Sequence, residues 1–280
     1  MRVLVTGGRG FIGAFVEKEL QKKGYEALIY DRSDGFDIRE EEAVRRAVQV
    51  CDSVIHLAGI LGTEELFESP QQAIDINVKG ALNLILACTQ LDRQYTAIQM
   101  PFTGWTNIYQ STKLCAYNLA NAYRIHKGLR CSFVRAYNAF GEFQHVHGVQ
   151  KIIPTFATKA WRGEPLPIWG TGEQLCDLIY AGDIAKMLVD ALSFGGGQTF
   201  DAGTGYPRTV NQIAFGVQTV VAALDGPKSV IEHLPMRSGE TQDGIPPIAK
   251  GEGWDLLGWK PQFKYSDYIS TIEWYKEDRP

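Results

Sequence analysis

Tyr109 and Lys113 stand four residues apart in Tyr109-Gln110-Ser111-Thr112-Lys113, so on a helix a phenol and an ammonium share one face. A phenol of ordinary pKa, about 10, is a poor base at neutral pH. A neighbouring ammonium and a cationic redox ring favour the phenolate and bring it towards the working range. About a hundred residues earlier lies Thr6-Gly7-Gly8-Arg9-Gly10-Phe11-Ile12-Gly13. It follows the apolar run Val3-Leu4-Val5 and leads into the amphipathic stretch Ala14 to Lys23. Strand, glycine turn and helix in that order suit a dinucleotide pyrophosphate. Gly7 allows the turn, Gly10 lets the backbone approach the phosphates and Gly13 lets the helix pack on the strand. The helix N-terminus adds free N–H groups and a partial positive charge. Taken together, the two stretches point to hydride chemistry on an alcohol or a ketone.

A strand over Glu26–Tyr30 delivers Asp31 eighteen residues beyond Gly13. A carboxylate there accepts hydrogen bonds from the adenosine ribose and repels a 2′-phosphate, which favours NAD over NADP. Arg9 and Arg32 stand close enough in sequence to complicate that preference.

The elements that must position these groups alternate through the first half of the chain. Strands are predicted at Arg2–Val5, Glu26–Tyr30, Ser53–Leu57, Ala97–Met100 and Cys131–Ala136, with helices at Phe11–Lys23, Glu40–Gln49, Pro70–Cys88 and Ile108–His126. This rhythm predicts an α/β fold with a doubly wound parallel sheet, Rossmann-like. Beyond Gly141 a helical pattern from Gly148 to Gly163 precedes a Pro- and Trp-rich stretch, and Asp177 to Tyr180 reads as another strand. Asp183 is placed as the cap of a helix running to about Leu192. The predicted division assigns residues 1–143 and 175–201 to a dinucleotide-binding domain, and 144–174 and 202–280 to a smaller mixed α/β substrate lobe.

The 280 residues carry 28 Lys and Arg against 32 Asp and Glu, and this balance gives no basic footprint for nucleic acid. The apolar run Ala81 to Cys88 is too short to span a bilayer, so no membrane association is expected. Five scattered cysteines without a Cys-x-x-Cys pair read as reduced, mostly buried thiols. With strand-like sequence starting at Arg2, they predict a cytoplasmic protein. His145 and His147 lack further ligands at metal spacing, so no metal is expected.

Further landmarks follow in order: Asp37-Ile38, His56-Leu57-Ala58-Gly59, Asn77-Val78-Lys79-Gly80, Val134 to Gly141, and Gly170-Thr171-Gly172-Glu173-Gln174 before Asp177 to Tyr180. With the glycine turn and Tyr109-x-x-x-Lys113, the chain resembles the extended short-chain dehydrogenase/reductase family over most of its length. Within that family it is most similar to the NAD-dependent nucleotide-sugar epimerases and dehydratases. The resemblance implies Tyr109 as general base, with Lys113 holding the nicotinamide ribose. It places Gly7, Gly10, Phe11, Ile12, Gly13, Asp31, Arg32, Asp37, Ile38, Leu57, Ala58, Gly59 and Asn77 at the cofactor, and Tyr137 near the nicotinamide. Asn138, Lys151 and Arg237 are implied at a nucleotide-sugar substrate, Arg237 as a diphosphate clamp. It also implies a homodimer through a four-helix bundle of Pro70–Cys88 and Ile108–His126. His56 itself reads as a core histidine.

Two departures stand out. Ala97-Ile98-Gln99-Met100 occupies the strand end where family members usually carry a serine pair, leaving Thr103 as the nearest hydroxyl, Thr106 behind it, and Gln99 as an amide substitute. Cys176 stands where an arginine is expected. The acid pair that 4,6-dehydratases place after their threonine is also missing, since Gly104-Trp105 follows Thr103 and only Glu142 offers itself nearby. Epimerisation needs no such pair, and it leads over dehydration. An NADPH-dependent ketosugar reductase and a catalytically silent dinucleotide sensor are the other readings. The tryptophans Trp161, Trp169, Trp254 and Trp259 read as core, with base stacking as the alternative.

Overall fold

The computed structural model describes residues 1–102, 106–236 and 247–277. Its first half runs β1 (Arg2–Thr6), α1 (Phe11–Lys22), β2 (Glu26–Tyr30), α2 (Glu41–Gln49) and β3 (Ser53–His56). It continues with α3 (Pro70–Ala73), which passes through the π-helical stretch Ile74–Gly80 into α4 (Ala81–Leu91). After these come β4 (Gln94–Gln99), α5 (Ile108–Lys127) and β5 (Cys131–Ala136). The second half holds β6 (Asn138–Phe140), α6 (Ile152–Trp161), β7 (Leu166–Trp169), β8 (Leu175–Cys176), β9 (Leu178–Tyr180), α7 (Ala181–Ala191) and β10 (Gly196–Ala202). It ends with β11 (Arg208–Thr209), α8 (Val210–Ala223), β12 (Ile231–Leu234), α9 (Trp254–Leu257) and α10 (Tyr265–Trp274).

Six strands form one parallel sheet in the order β10-β5-β4-β3-β1-β2. The order reverses between β1 and β3, and the crevice beyond the strand C-termini at such a switch point is where open α/β sheets bind ligands. Both faces of the sheet are covered, as in parallel sheets generally. On one face Val44, Val48, Leu84, Ile85 and Ala120 from α2, α4 and α5 pack on Leu4, Val54 and Phe133. On the other, Phe15, Val16 and Leu20 of α1 and Ile184, Met187 and Leu188 of α7 pack on Val3, Val5, Ile55 and Val134. A third cluster is built from α6, β7, α8 and α10 through Phe156, Ile168, Ile213, Val217 and Ile272. No helix among the described residues is long and apolar enough to cross a membrane.

Two expectations need correction. β4 starts three residues before Ala97 and ends at Gln99, because Gln94 and Thr96 are buried but satisfied: Gln94 donates to the Phe194 carbonyl (2.6 Å), and Thr96 shares a 2.9 Å bond with Ser132. Asp183 lies inside the first turn of α7, and Tyr180 holds the cap position.

Candidate active site

The sheet's C-terminal edge opens into one large cavity of about 1090 Å³ that runs from the glycine turn to the second lobe. Gly7 takes φ +71°, and a Cβ there would come within 2.7 Å of the Ala58 nitrogen, so the turn between β1 and α1 demands glycine. A Cβ on Gly13 would collide with the Gly8 backbone, so the start of α1 lies against the turn itself. Gly7, Gly10, Phe11, Ile12 and Gly13 line the cavity at one end.

Beside them Asp31 directly follows β2. Its carboxylate accepts from the backbone N–H of Arg9 (3.0 Å) and from both the N–H and the hydroxyl of Ser33 (3.0 and 2.9 Å). Asp31 and Arg32 both line the cavity. Arg9 is turned towards Asp34, with an ion pair of 2.9 Å, so one of the two arginines that complicated the NAD reading has its own carboxylate. Asp37, Ile38, Leu57, Ala58 and Gly59 line the same end. Asp37 is gripped by Arg39, whose hydrogen bond holds the carboxyl below its usual range.

Asn77 is absent from the cavity wall. Its Oδ1 accepts from the Ile60 N–H (2.9 Å) while its Nδ2 donates to the Ile60 carbonyl (2.9 Å) and to Thr112 Oγ1 (3.1 Å). It clamps the loop after β3 to helix α5.

Asn107 caps α5 by accepting from the Gln110 N–H at 2.8 Å, which puts Tyr109 in the helix's first turn, where the positive end of the dipole favours an anion. Tyr109 lines the cavity. Burial pushes its phenol up to about 12, opposite to the shift expected from the sequence. One turn on, Lys113 is buried away from the cavity wall, in a small interior pocket with His56, Tyr95, Gln99 and Tyr117. Burial there draws its ammonium down to about 8. His56 is a core histidine, as expected. Its Nδ1 is 2.8 Å from Thr6 Oγ1 and burial drives its pKa down to about 3.

On the lobe side the cavity is walled by Tyr137, Asn138, Gln144, Lys151, Trp169 and Gln174. Tyr137 hydrogen-bonds Asp201 at 3.2 Å, and burial raises its phenol. The side-chain carbonyls of Asn138, Gln144 and Gln174 are buried without a partner. Gln144 was not foreseen: it follows no motif, and only its seat in the loop after β6 brings it to the wall. Gln174 was visible as the end of the Gly170–Gln174 run; its Nε2 donates to the Trp169 carbonyl at 2.7 Å. Trp169 is the one tryptophan of the four on the cavity wall. The others donate their indole N–H groups to Ile272 O, Asp201 O and Asp190 Oδ2, and build core. Glu142 is tied by Tyr180 (3.0 Å) and Ser270 (3.1 Å) and does not reach the cavity wall. Thr103 and Arg237 lie outside the described residues.

The sequence model of the NAD dependent epimerase/dehydratase family matches residues 3–101 and 92–203. The chain belongs to this family. It is 26% identical to a putative UDP-glucose 4-epimerase of Methanocaldococcus jannaschii, over 99% of both chains. It is 23% identical to UDP-glucuronic acid decarboxylase 1 of Danio rerio, over 99% of this chain and 73% of that one. The fold matches the NAD complex of Thermus thermophilus UDP-glucose 4-epimerase with a TM-score of 0.86, at 23% identity and full coverage of both. The glycine turn and the cavity-lining Asp31 beside it fit the family's NAD.

Proposed function

We propose that this protein is an NAD-dependent nucleotide-sugar epimerase that transiently oxidises a sugar hydroxyl, at C4, with Tyr109 as general base. The observation that carries the reading is the placement of the Tyr109 phenol on one continuous wall between the glycine turn and the lobe. Bound NAD supplies the hydride acceptor and, once reduced, the donor that returns hydride to the opposite face of the sugar. The backbone of Gly7 to Gly13 holds the pyrophosphate, and Asp31 the adenosine ribose. Tyr109 takes the hydroxyl proton as the ketone forms and gives it back on reduction. Burial raises its phenol in the chain alone, and the positive ring of bound NAD would supply the downward pull. Asn138, Gln144 and Lys151 face the sugar nucleotide, in a lobe spanning 144–174 and 202–280, with Arg237 as a further clamp on its diphosphate.

Dehydration is disfavoured by Glu142, whose carboxyl is engaged by Tyr180 and Ser270 outside the cavity. A homodimer through the helices of Pro70–Leu91 and Ile108–Lys127 is part of the proposal. Ile74, Leu114 and Ile125 are large apolar side chains left exposed on them. A cytoplasmic setting is supported by five cysteines that are all free thiols.

The test incubates purified protein, without added cofactor, with UDP-, GDP-, CDP- and dTDP-sugars and reads products by mass and proton NMR, with size-exclusion of the same sample reporting the dimer. An isomer of unchanged mass is expected. Tyr109→Phe should then lower kcat by about 10²–10⁴ while NAD stays bound. A product lighter by one water, or turnover only with NADPH, sinks the epimerase reading.

A further inference from the structure

Gln99 is the last residue of β4, at the C-terminal edge of the sheet, and it lines two spaces at once. One is the large cavity that holds Tyr109; the other is the interior pocket that holds Lys113 and His56. Its carbonyl Oε1 is buried with no hydrogen-bond partner. A buried carbonyl without a donor is costly, so its position in the interior has to serve another purpose. With the carbonyl in the interior, the NH2 end is left for the cavity. Neighbouring Ile98, Met100 and Pro101 line the cavity without any side-chain N–H or O–H to offer.

We propose that Gln99 is a catalytic residue: its Nε2 donates to the sugar oxygen that becomes the ketone, while its Oε1 stays in the interior pocket that Lys113 also lines. This rests on the oxidation–reduction reading above. Negative charge develops on that oxygen as its proton leaves for Tyr109 and the adjacent C–H hydride departs, and a fixed donor there stabilises it. A carboxamide differs from a hydroxyl in one consequential way. A hydroxyl both donates and accepts and can relay a proton, whereas an amide N–H only donates. The proton therefore moves between the sugar oxygen and Tyr109 alone, and Gln99 ends each half-reaction in the protonation state in which it began. An ammonium in that pocket polarises the amide and strengthens its N–H as a donor.

The experiment compares wild type with Gln99→Met, which keeps the length and loses the donor, and Gln99→Ser, which restores a donor of another kind. Gln99→Met should lower kcat by about 10²–10³ with KM within threefold, unchanged NAD content and an unchanged urea midpoint. Gln99→Ser should recover at least tenfold of that loss. Loss of kcat below threefold in Gln99→Met overturns the assignment. So does a hundredfold loss in Thr103→Val alongside an active Gln99→Met. A reaction-independent readout separates this proposal from the epimerase reading. The carboxamide ¹⁵N–¹H resonances of Gln99, identified by their loss in Gln99→Met, should shift when a sugar nucleotide binds. Unmoved resonances overturn the proposal even if wild type epimerises, and a wild type that converts nothing ends the epimerase reading even if they shift.

Discussion

A histidine between two cores shows how burial decides a residue's role. His56 ends β3 and pairs with Thr6. Its place in a landmark beside Leu57-Ala58-Gly59 could have suggested catalysis, but full burial and the nearby Lys113 ammonium keep the ring neutral far below its ordinary range. The unfolded chain binds a proton below about pH 6.5 that the folded chain refuses until about 3, so the folded-state pKa is depressed and stability falls as pH drops through that window. The slope for one such group is about 1.4 kcal/mol per pH unit. Urea unfolding at pH 7 and pH 5 should therefore show a drop in stability that is smaller by about 2 kcal/mol in His56→Asn than in wild type. An equal drop in both proteins would place the acid sensitivity elsewhere. The same desolvation explains why Tyr109 and Lys113 were legible as a pair while their proton affinities were not. The spacing of the two residues is a property of sequence, but the depth of Lys113 behind β4 is a property of the packed sheet.

At the scale of elements, β2 and β5 run as the sequence predicted, over Glu26–Tyr30 and Cys131–Ala136, because apolar runs bounded by turns need no further information. β4 was read late, since Gln94 and Thr96 are polar in sequence and become interior only through partners on β5 and beyond α7. The helical run from Pro70 was foreseen, but its π-helical stretch over Ile74–Gly80 was not. That stretch carries Asn77, whose amide holds both backbone groups of Ile60 and reaches Thr112. Thr112 in turn donates to the carbonyls of Ile108 and Tyr109 at 2.9 and 3.0 Å. The loop after β3 and the first turn of α5, which bears Tyr109, are thus tied through one carboxamide. Asn77→Ala leaves the Ile60 N–H and C=O unpaired and should cost about 1–3 kcal/mol of stability. It should also weaken NAD binding at least fivefold in calorimetric titration of stripped protein. A variant that loses stability but binds NAD as wild type would confine Asn77 to the fold.

For the whole molecule, the question is how a lobe assembled from distant segments stays registered on the sheet. Two buried carboxylates answer it. Asp201, at the end of β10, accepts from Arg135 and Tyr137 (2.9 and 3.2 Å), and its other oxygen takes the N–H groups of Lys250, Gly251 and Glu252. Asp177, between β8 and β9, accepts from the N–H and hydroxyl of Thr204 at 2.8 and 2.6 Å. Its second oxygen takes the N–H groups of Gly205 and Ala249 at 2.9 and 3.0 Å. Sequence reading placed Asp177 in a family landmark but gave it no task, because its partners lie 27 and 72 residues away. Asp177→Asn is the informative change. It preserves shape, yet only one of its two terminal atoms still accepts, and the amide NH2 then faces N–H groups that already donate. A loss of about 3 kcal/mol is expected, because bonds to a charged acceptor are the costly ones to break. The hydrogen-bond partners of Asp177 are Thr204, Gly205 and Ala249, outside the glycine turn between β1 and α1, whereas Cys176 and Gln174 beside Asp177 line the lobe wall. NAD content should therefore hold while KM for the sugar nucleotide rises at least tenfold. If NAD and substrate affinity fell together, the two halves would be one cooperative unit, and the carboxylates would serve the fold as a whole without setting the substrate wall.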